Sequence, residues 1–420
     1  MKIQYVLLGV FTLITQLSQA QFTLDGEFRP RTEYRNGYGN LIADGDNAGF
    51  GISTRIRLNT GYTTEGYQLY ISLQDVLVWG ENRQLLPADS NNSFAIFQAW
   101  ANVSLGNEWS TKLGRQTIIY DDQRIFGDVG WAQQARNHDA ALIKYKKNKF
   151  MLDFGFAFNQ DKANISGFSN IGTDYTTAGF FSYKAMQYVY LKQQWENFGA
   201  SFLALNTTFQ DLVSGVSANT TSSLLTVGTH FDYKSGNIGL AGNLFLQTGE
   251  RQGKVDVKNA YLASLDLTLK GKVTFSVGTE LISGKTDDSA AFFPLYGTNH
   301  KFNGFMDYFY VGNHGNSVGL LDVHASTKFN LSKKSGLLVK ILNFSGFEKL
   351  PSGEKSLGTE LDIVLNTKLK GAGLAIGYSH MFASDGMYEL KGIHKSKASA
   401  VQNWAWVMLT IKPKFLNNTK

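Results

Sequence analysis

The chain has 420 residues, 40 basic against 34 acidic side chains, a net charge of +6 and no cysteine. The lack of cysteine excludes disulfide frameworks, thiolate metal sites, cysteine nucleophiles and a lipid anchor on cysteine. With 43 Gly, 30 Phe, 19 Tyr and only 5 Pro, the composition is that of outer-membrane barrels, where glycines serve turns and aromatics form interfacial girdles.

Residues 1–20 carry Lys2, an apolar run from Tyr5 to Ile14 and the small-x-small ending Ser18-Gln19-Ala20. This reads as a signal peptide, since the run is shorter than the ~20 residues of a spanning helix. Residues 21–420 are then expected to form a single domain.

From Phe22 onward, apolar and polar side chains alternate. Phe22, Leu24, Phe28 and Tyr34 share one parity, against Asp25, Glu27, Arg29, Arg31, Glu33 and Arg35 on the other. Ile52, Ile56, Leu58 and Tyr62 likewise oppose Ser53, Arg55, Arg57 and Asn59. Further along, Leu225, Val227, Phe231 and Tyr233 alternate with Thr226, His230 and Asp232, and Leu361, Ile363 and Leu365 with Glu360, Asp362 and Asn366. A period of two over about 9 to 11 residues is the signature of a spanning strand with one lipid-facing side. Turn-like stretches such as Lys234-Ser235-Gly236-Asn237 and Lys270-Gly271-Lys272 separate the runs and suit short periplasmic connections.

The fold class is therefore all-β: a transmembrane antiparallel up-and-down β-barrel of about 18 strands. Its last run, Trp404 to Ile411 followed by Phe415, is similar to the terminal aromatic strand of barrels delivered by the outer-membrane assembly machinery. Two segments resist strand assignment, Tyr120 to Asn137 and Gly284 to Ser317. The second, a long loop, either folds into the mouth or covers the rim, and Tyr296, His300 and Lys301 are its candidate contacts for a solute.

Nine of the ten arginines lie between Arg29 and Arg136. By parity Arg29, Arg31, Arg35, Arg55 and Arg57 face the lumen, because an arginine facing lipid would cost about 2 to 4 kcal/mol at the midplane. Guanidinium groups bind carboxylates bidentately, so an anionic permeant is expected. The competing reading has Asp25, Glu27 and Glu33 pairing with these arginines within the wall. Nucleic-acid binding is not expected of basic residues dispersed by strand period.

The segment Gly114-Arg115-Gln116 through Asn137-His138-Asp139, dense in charge and aromatics, resembles the alginate export family. Gly26-Glu27-Phe28-Arg29-Pro30-Arg31, Gln74 to Glu81, Gln98-Ala99-Trp100-Ala101 and Phe293 to Gly304 extend the resemblance over most of the mature chain. It implies an outer-membrane, monomeric, 18-stranded barrel whose arginine-rich constriction passes an acidic polysaccharide or its oligomers. It also implies Arg115, Arg124 and Arg136 as further lining residues, with Asp121, Asp122 and Asp139 as counter-charges. The alternative is a barrel acting as surface enzyme or adhesin, for which Asp121, Asp122, His138 and Asp139 would be the constellation, although no nucleophile stands at a diagnostic spacing. No cofactor or metal is expected; lipid and an anionic saccharide are the expected partners.

Overall fold

A computed structural model describes residues 21–82, 93–159, 183–213 and 216–417. The expected signal peptide lies outside them. Strands in chain order are β1 (Gln21–Asn36), β2 (Gly49–Thr63), β3 (Tyr67–Val78), β4 (Ala95–Gly106), β5 (Trp109–Gln116), β6 (His138–Lys147), β7 (Phe150–Phe158), β8 (Ala185–Gln194), β9 (Phe198–Val213) and β10 (Val216–Ser235). They continue as β11 (Ile238–Arg251), β12 (Val255–Leu269), β13 (Val273–Ile282), β14 (Leu320–Asn330), β15 (Ser335–Ser345), β16 (Ser356–Lys368), β17 (Gly373–Ala383), β18 (Asn403–Thr410) and β19 (Lys414–Asn417).

Each strand from β1 to β18 pairs antiparallel with its sequence neighbour. Strand β1 closes the circle, pairing with β2 along one edge and with β18 and then β19 along the other. A bridge between Phe28 and Ile411 joins those two pieces, so β18 and β19 together form the eighteenth stave. The break falls at Pro413, whose ring lacks a ladder N–H; its carbonyl still accepts from Gly26 N at 3.0 Å. The wall is thus a closed 18-strand barrel with no open edge.

Side chains facing outward are apolar and exposed, such as Leu58, Leu69, Leu244, Leu265, Val277 and Ile341. No helix among the described residues is long and apolar enough to cross a membrane; the crossing is made by strands. One end carries tight connections, 64–66, 107–108, 236–237 and 270–272 among them, together with Gln21 of β1 and Asn417 of β19. The other carries long ones, including 37–48, 117–137, 283–319 and 384–402. Short turns mark the periplasmic end of such barrels and long loops the outer one.

The buried core is inside the barrel. Connection 283–319 folds inward and buries Phe292, Phe293, Tyr296, Met306, Tyr308, Phe309 and Tyr310 against wall residues such as Leu205, Leu262, Phe344 and Trp404. Of the two readings of this loop, entry into the lumen is the one the structure shows. Each large side chain withdrawn from water favours docking by about 1.5 to 3 kcal/mol. The mouth holds the loop from above: Tyr308 Oη donates to the Gly37 carbonyl, Asn313 Nδ2 to Gly39 O at 2.9 Å, and Lys391, just beyond helix α1 (Asp385–Leu390), to Tyr308 O at 2.8 Å.

Candidate functional site: the loop-filled lumen and its arginine wall

Connection 117–137 also turns inward, and the two inward loops dock on each other. Phe126 and Tyr296 form a parallel bridge; Gly127 N donates to Tyr296 O and Thr298 N to Gln123 O, both at 2.9 Å. Trp131 stacks on His300 with centroids 4.8 Å apart, and Lys301 Nζ donates to Asp122 O at 2.8 Å. Asp121, Gln123, Val129 and Ala135 in one loop, and Asp307, Tyr310, His314 and Asn316 in the other, adopt positive φ. Such backbone is costly for residues other than glycine, Val129 above all, and persists where contacts over-determine it. Val129 N is fixed by Thr298 Oγ1 at 3.1 Å.

The arginines of β1 and β2 hold the first loop by its carbonyls. Arg29 donates to Gly130 O at 2.7 Å, to Trp131 O and Ala132 O, and to Gln133 Oε1 at 2.9 Å. Arg31 donates to Trp131 O at 2.8 Å and lies over its ring. Arg55 reaches Gly130 O, Ala132 O and Gln133 O while pairing with Glu27 at 2.5 Å. Arg57 donates to Gln74, and Gln74 in turn to Gln134 O. Glu33 takes Arg31, Arg35 and the Trp404 indole. These arginines share one face as parity demands, and of their expected wall partners Glu27 and Glu33 pair with them, whereas Asp25 is held by Asn59.

Arg124 crosses to the opposite wall, where it pairs with Glu280 at 2.5 Å and bonds Asn299 and Asn303. Asn303 also donates to Glu280 and Asp322, and Met306 N to Glu360 Oε1 at 2.9 Å. Gly304, at φ +87, passes so close to Glu360 that a Cβ would stand 2.5 Å from its carboxylate. Arg136 donates to Gly297 O at 3.0 Å, and burial pushes its guanidinium down to about 10.

Several expected lining residues lie elsewhere. Arg115 and Asp139 face outward, on the strand parity of the exposed Leu113 and Ile143, and pair with each other at 2.9 Å; the local parity of β5 and β6, invisible across the adjoining loop, decides this. Asp121 and Asp122 do not neutralise the arginines. Asp121 accepts from Tyr190, Lys192 and Ser201, and Asp122 from Asn243. His138 is buried against Tyr183 at 2.8 Å, and Tyr296 is buried with its hydroxyl near Thr207. His300 bonds Asp307 at 2.6 Å. The residues Asp121, Asp122, His138 and Asp139, the constellation of the enzyme alternative, are thus dispersed.

Toward the outer mouth, β1, β2 and the two loops leave a cavity of about 520 Å³ lined by Arg31, Arg35, Arg136, Trp131, His300 and Asp307, among others. Arg35 is the most open of its guanidinium groups, with a side chain 44% exposed. Trp131, Gln133, Glu280 and Trp404 were missed from sequence; only the strand parity of Trp404 and Glu280 could have signalled an inward position.

A closed barrel with an apolar outer face and inward-folded loops is an outer-membrane barrel of the porin type. Solved structures of similar fold include opdK from Pseudomonas aeruginosa (10% identity, 94% of this chain and 99% of that one, TM-score 0.64) and OccAB4 from Acinetobacter baumannii (15%, 94% and 99%, 0.62). Pseudomonas aeruginosa OccK2 (OpdF), solved in complex with glucuronate, is another (11%, 94% and 97%, 0.62). No curated protein matches the sequence. The chain belongs to the alginate export family, whose model matches residues 21–400.

Proposed function

We propose that this outer-membrane barrel is a monomeric conduit for anionic solutes, an acidic polysaccharide or its oligomers, that enter or leave through the outer cavity. The observation that carries this reading is the convergence of Arg31, Arg35 and Arg136 on that cavity, beside the indole of Trp131. Guanidinium groups offer forked donors to carboxylates, and an indole offers an apolar face to a sugar ring. His300 belongs to the same lining. Arg29, Arg55 and Arg57 support the site from behind by fixing the loop that carries Trp131, while Lys301 and Tyr296 hold the two loops together.

Two comparisons support the solute class: membership in the alginate export family and the glucuronate complex of one structural neighbour. The proposed role is transport, with no catalytic step, cofactor or metal, and with membrane lipid against the outer wall.

The test is reversal potential in planar bilayers under a salt gradient. The wild type is expected to prefer anions, and neutralising Arg31, Arg35 and Arg136 together to move the potential toward zero. Cation preference in the wild type overturns the reading.

A further inference from the structure

Below the two inward loops, toward the short-turn end, the wall of β3, β4 and β5 carries a group of side chains that the loops do not use. Register places Tyr70, Trp100 and Gly114 in one cross-strand row, and Gln68, Asn102 and Lys112 in the next row toward the periplasm. Leu69, Ile71, Val103 and Leu113 alternate with them and are exposed on the outer face. The pleat therefore turns Gln68, Tyr70, Trp100, Asn102 and Lys112 into the lumen.

The rings of Tyr70 and Trp100 stack with centroids 5.2 Å apart at 25°. Lys112 Nζ stands over the indole, 3.9 Å from its centroid. The indole is fixed by its N–H, which donates to Gln98 Oε1 at 3.2 Å. Loop contacts stop just above: Gln74 donates to Gln134 O, and Gln98 accepts from Thr117 N. All five side chains of the two rows are half-buried, neither sealed in the wall nor fully solvated.

Charge differs between the two ends of the group: Arg57 and Asp25 stand together near Tyr70, and Lys112 stands at the Trp100 end. Lys112 has no carboxylate partner among the described residues, whereas Lys144 on the next strand is held by Asp153. An ammonium carries three donors, and an indole face satisfies none of them as a hydrogen bond. Asp25, held by Asn59 at 2.7 Å, lies on the other side of Tyr70 from Lys112. An anionic ligand is thereby biased toward the Lys112 end.

We propose that these five residues form a seat for one uronate unit on the periplasmic side of the inward loops. The carboxylate meets Lys112, the hydroxyls meet the amides of Gln68 and Asn102, and the apolar C–H face of the sugar packs along Tyr70 and Trp100. Such a site combines a charged donor, neutral amides and ring surface within two adjacent rows, which is what distinguishes an acidic sugar from a simple anion and from a neutral sugar. It is separate from the outer cavity, and depends on the conduit reading only for its place along a path.

The test uses the full-length barrel in planar bilayers of defined orientation, with trigalacturonate, maltotriose or acetate added to one side at a time. Trigalacturonate is expected to block from the short-turn side. Lys112→Gln should weaken that block at least about tenfold, the scale of one lost charged hydrogen bond, while block from the loop side is unchanged and Lys112→Arg retains most of the effect. Trp100→Leu should also weaken it, with heat-modifiable migration confirming a folded barrel. Equal block from the short-turn side in Lys112→Gln, or block by acetate or maltotriose as strong as by the trimer, overturns the proposal. Titration calorimetry in detergent separates the two readings. A barrel that binds trigalacturonate through Lys112 without conducting sinks the conduit and leaves the seat; one that conducts anions but binds equally in Lys112→Gln sinks the seat.

Discussion

Two stretches of the lumen wall hold the inward loops by opposite electrostatics, one the first loop alone and the other both. On β1 and β2 the wall supplies cations, and Arg29, Arg31 and Arg55 donate to backbone carbonyls of residues 130–133. On β13, β14 and β16 the wall supplies anions, and Glu280, Asp322 and Glu360 accept from Arg124, Asn303 and Met306. The difference lies in what each wall would lose. Carbonyl groups freed from an arginine can turn to water, whereas the buried Glu280 carboxylate, held otherwise by Asn303, is costly without its cation. Charge in this lumen therefore serves two ends: it builds the constriction, and at Arg35 and Arg136 it lines what the constriction leaves open.

The largest expected effect comes from removing the longer of the two inward loops. Deleting residues 286–316 with a short Gly-Ser joint should leave a heat-modifiable barrel whose single-channel conductance rises several-fold, because the strand ladder needs none of these residues and the loop occupies lumen cross-section. Unchanged conductance would show that the loop does not limit the path.

A sharper comparison sets Arg124→Met against Arg29→Met. The first strands Glu280 and should cost the docked loops about 3 to 5 kcal/mol; the second leaves only neutral oxygens, peptide carbonyls and the Gln133 amide, short of donors, about 1 to 3 kcal/mol. Rates of protease cleavage within the two loops measure both, and equal rates would remove the asymmetry between the walls.

Acid should loosen the outer part of the same loop. Burial pushes His314 from its ordinary 6.5 down to about 4, its Nε2–H donating to Gly319 O at 2.9 Å. The docked loop then holds His314 neutral, while a released loop takes up a proton below 6.5. Docking weakens as pH falls from about 6.5 toward 4 and is unaffected by this group above that window. Faster cleavage at pH 5 than at pH 7.5, flattened in His314→Gln, is the expected result.

The smallest effect is expected at Arg115→Gln. Its pair with Asp139 is on the outer face with both side chains well exposed, where such a bridge contributes about 0 to 1 kcal/mol. Ion selectivity should stay within error of the wild type, in contrast to the triple change at Arg31, Arg35 and Arg136.

Sequence alone determined the wall. A period of two is a local property, so the lipid-facing parity of Leu24 and Phe28, the inward parity of Arg29, Arg31, Arg55 and Arg57, and closure by the run from Trp404 through Phe415 could all be read without coordinates. Tertiary structure decided the contents of the wall. Residues 117–137 and 283–319 have no period, and some of their partners stand a hundred or more residues away: Arg29 finds Gly130, and Arg124 finds Glu280. The same lack of period hid the register of β5 beyond the loop, which turned Arg115 and Asp139 outward. Alternation fixes which face a strand residue takes because the pleat is imposed by backbone geometry. A loop's conformation is set by whichever distant donors, acceptors and apolar surfaces the closed barrel brings within reach, and those exist only once the barrel has formed.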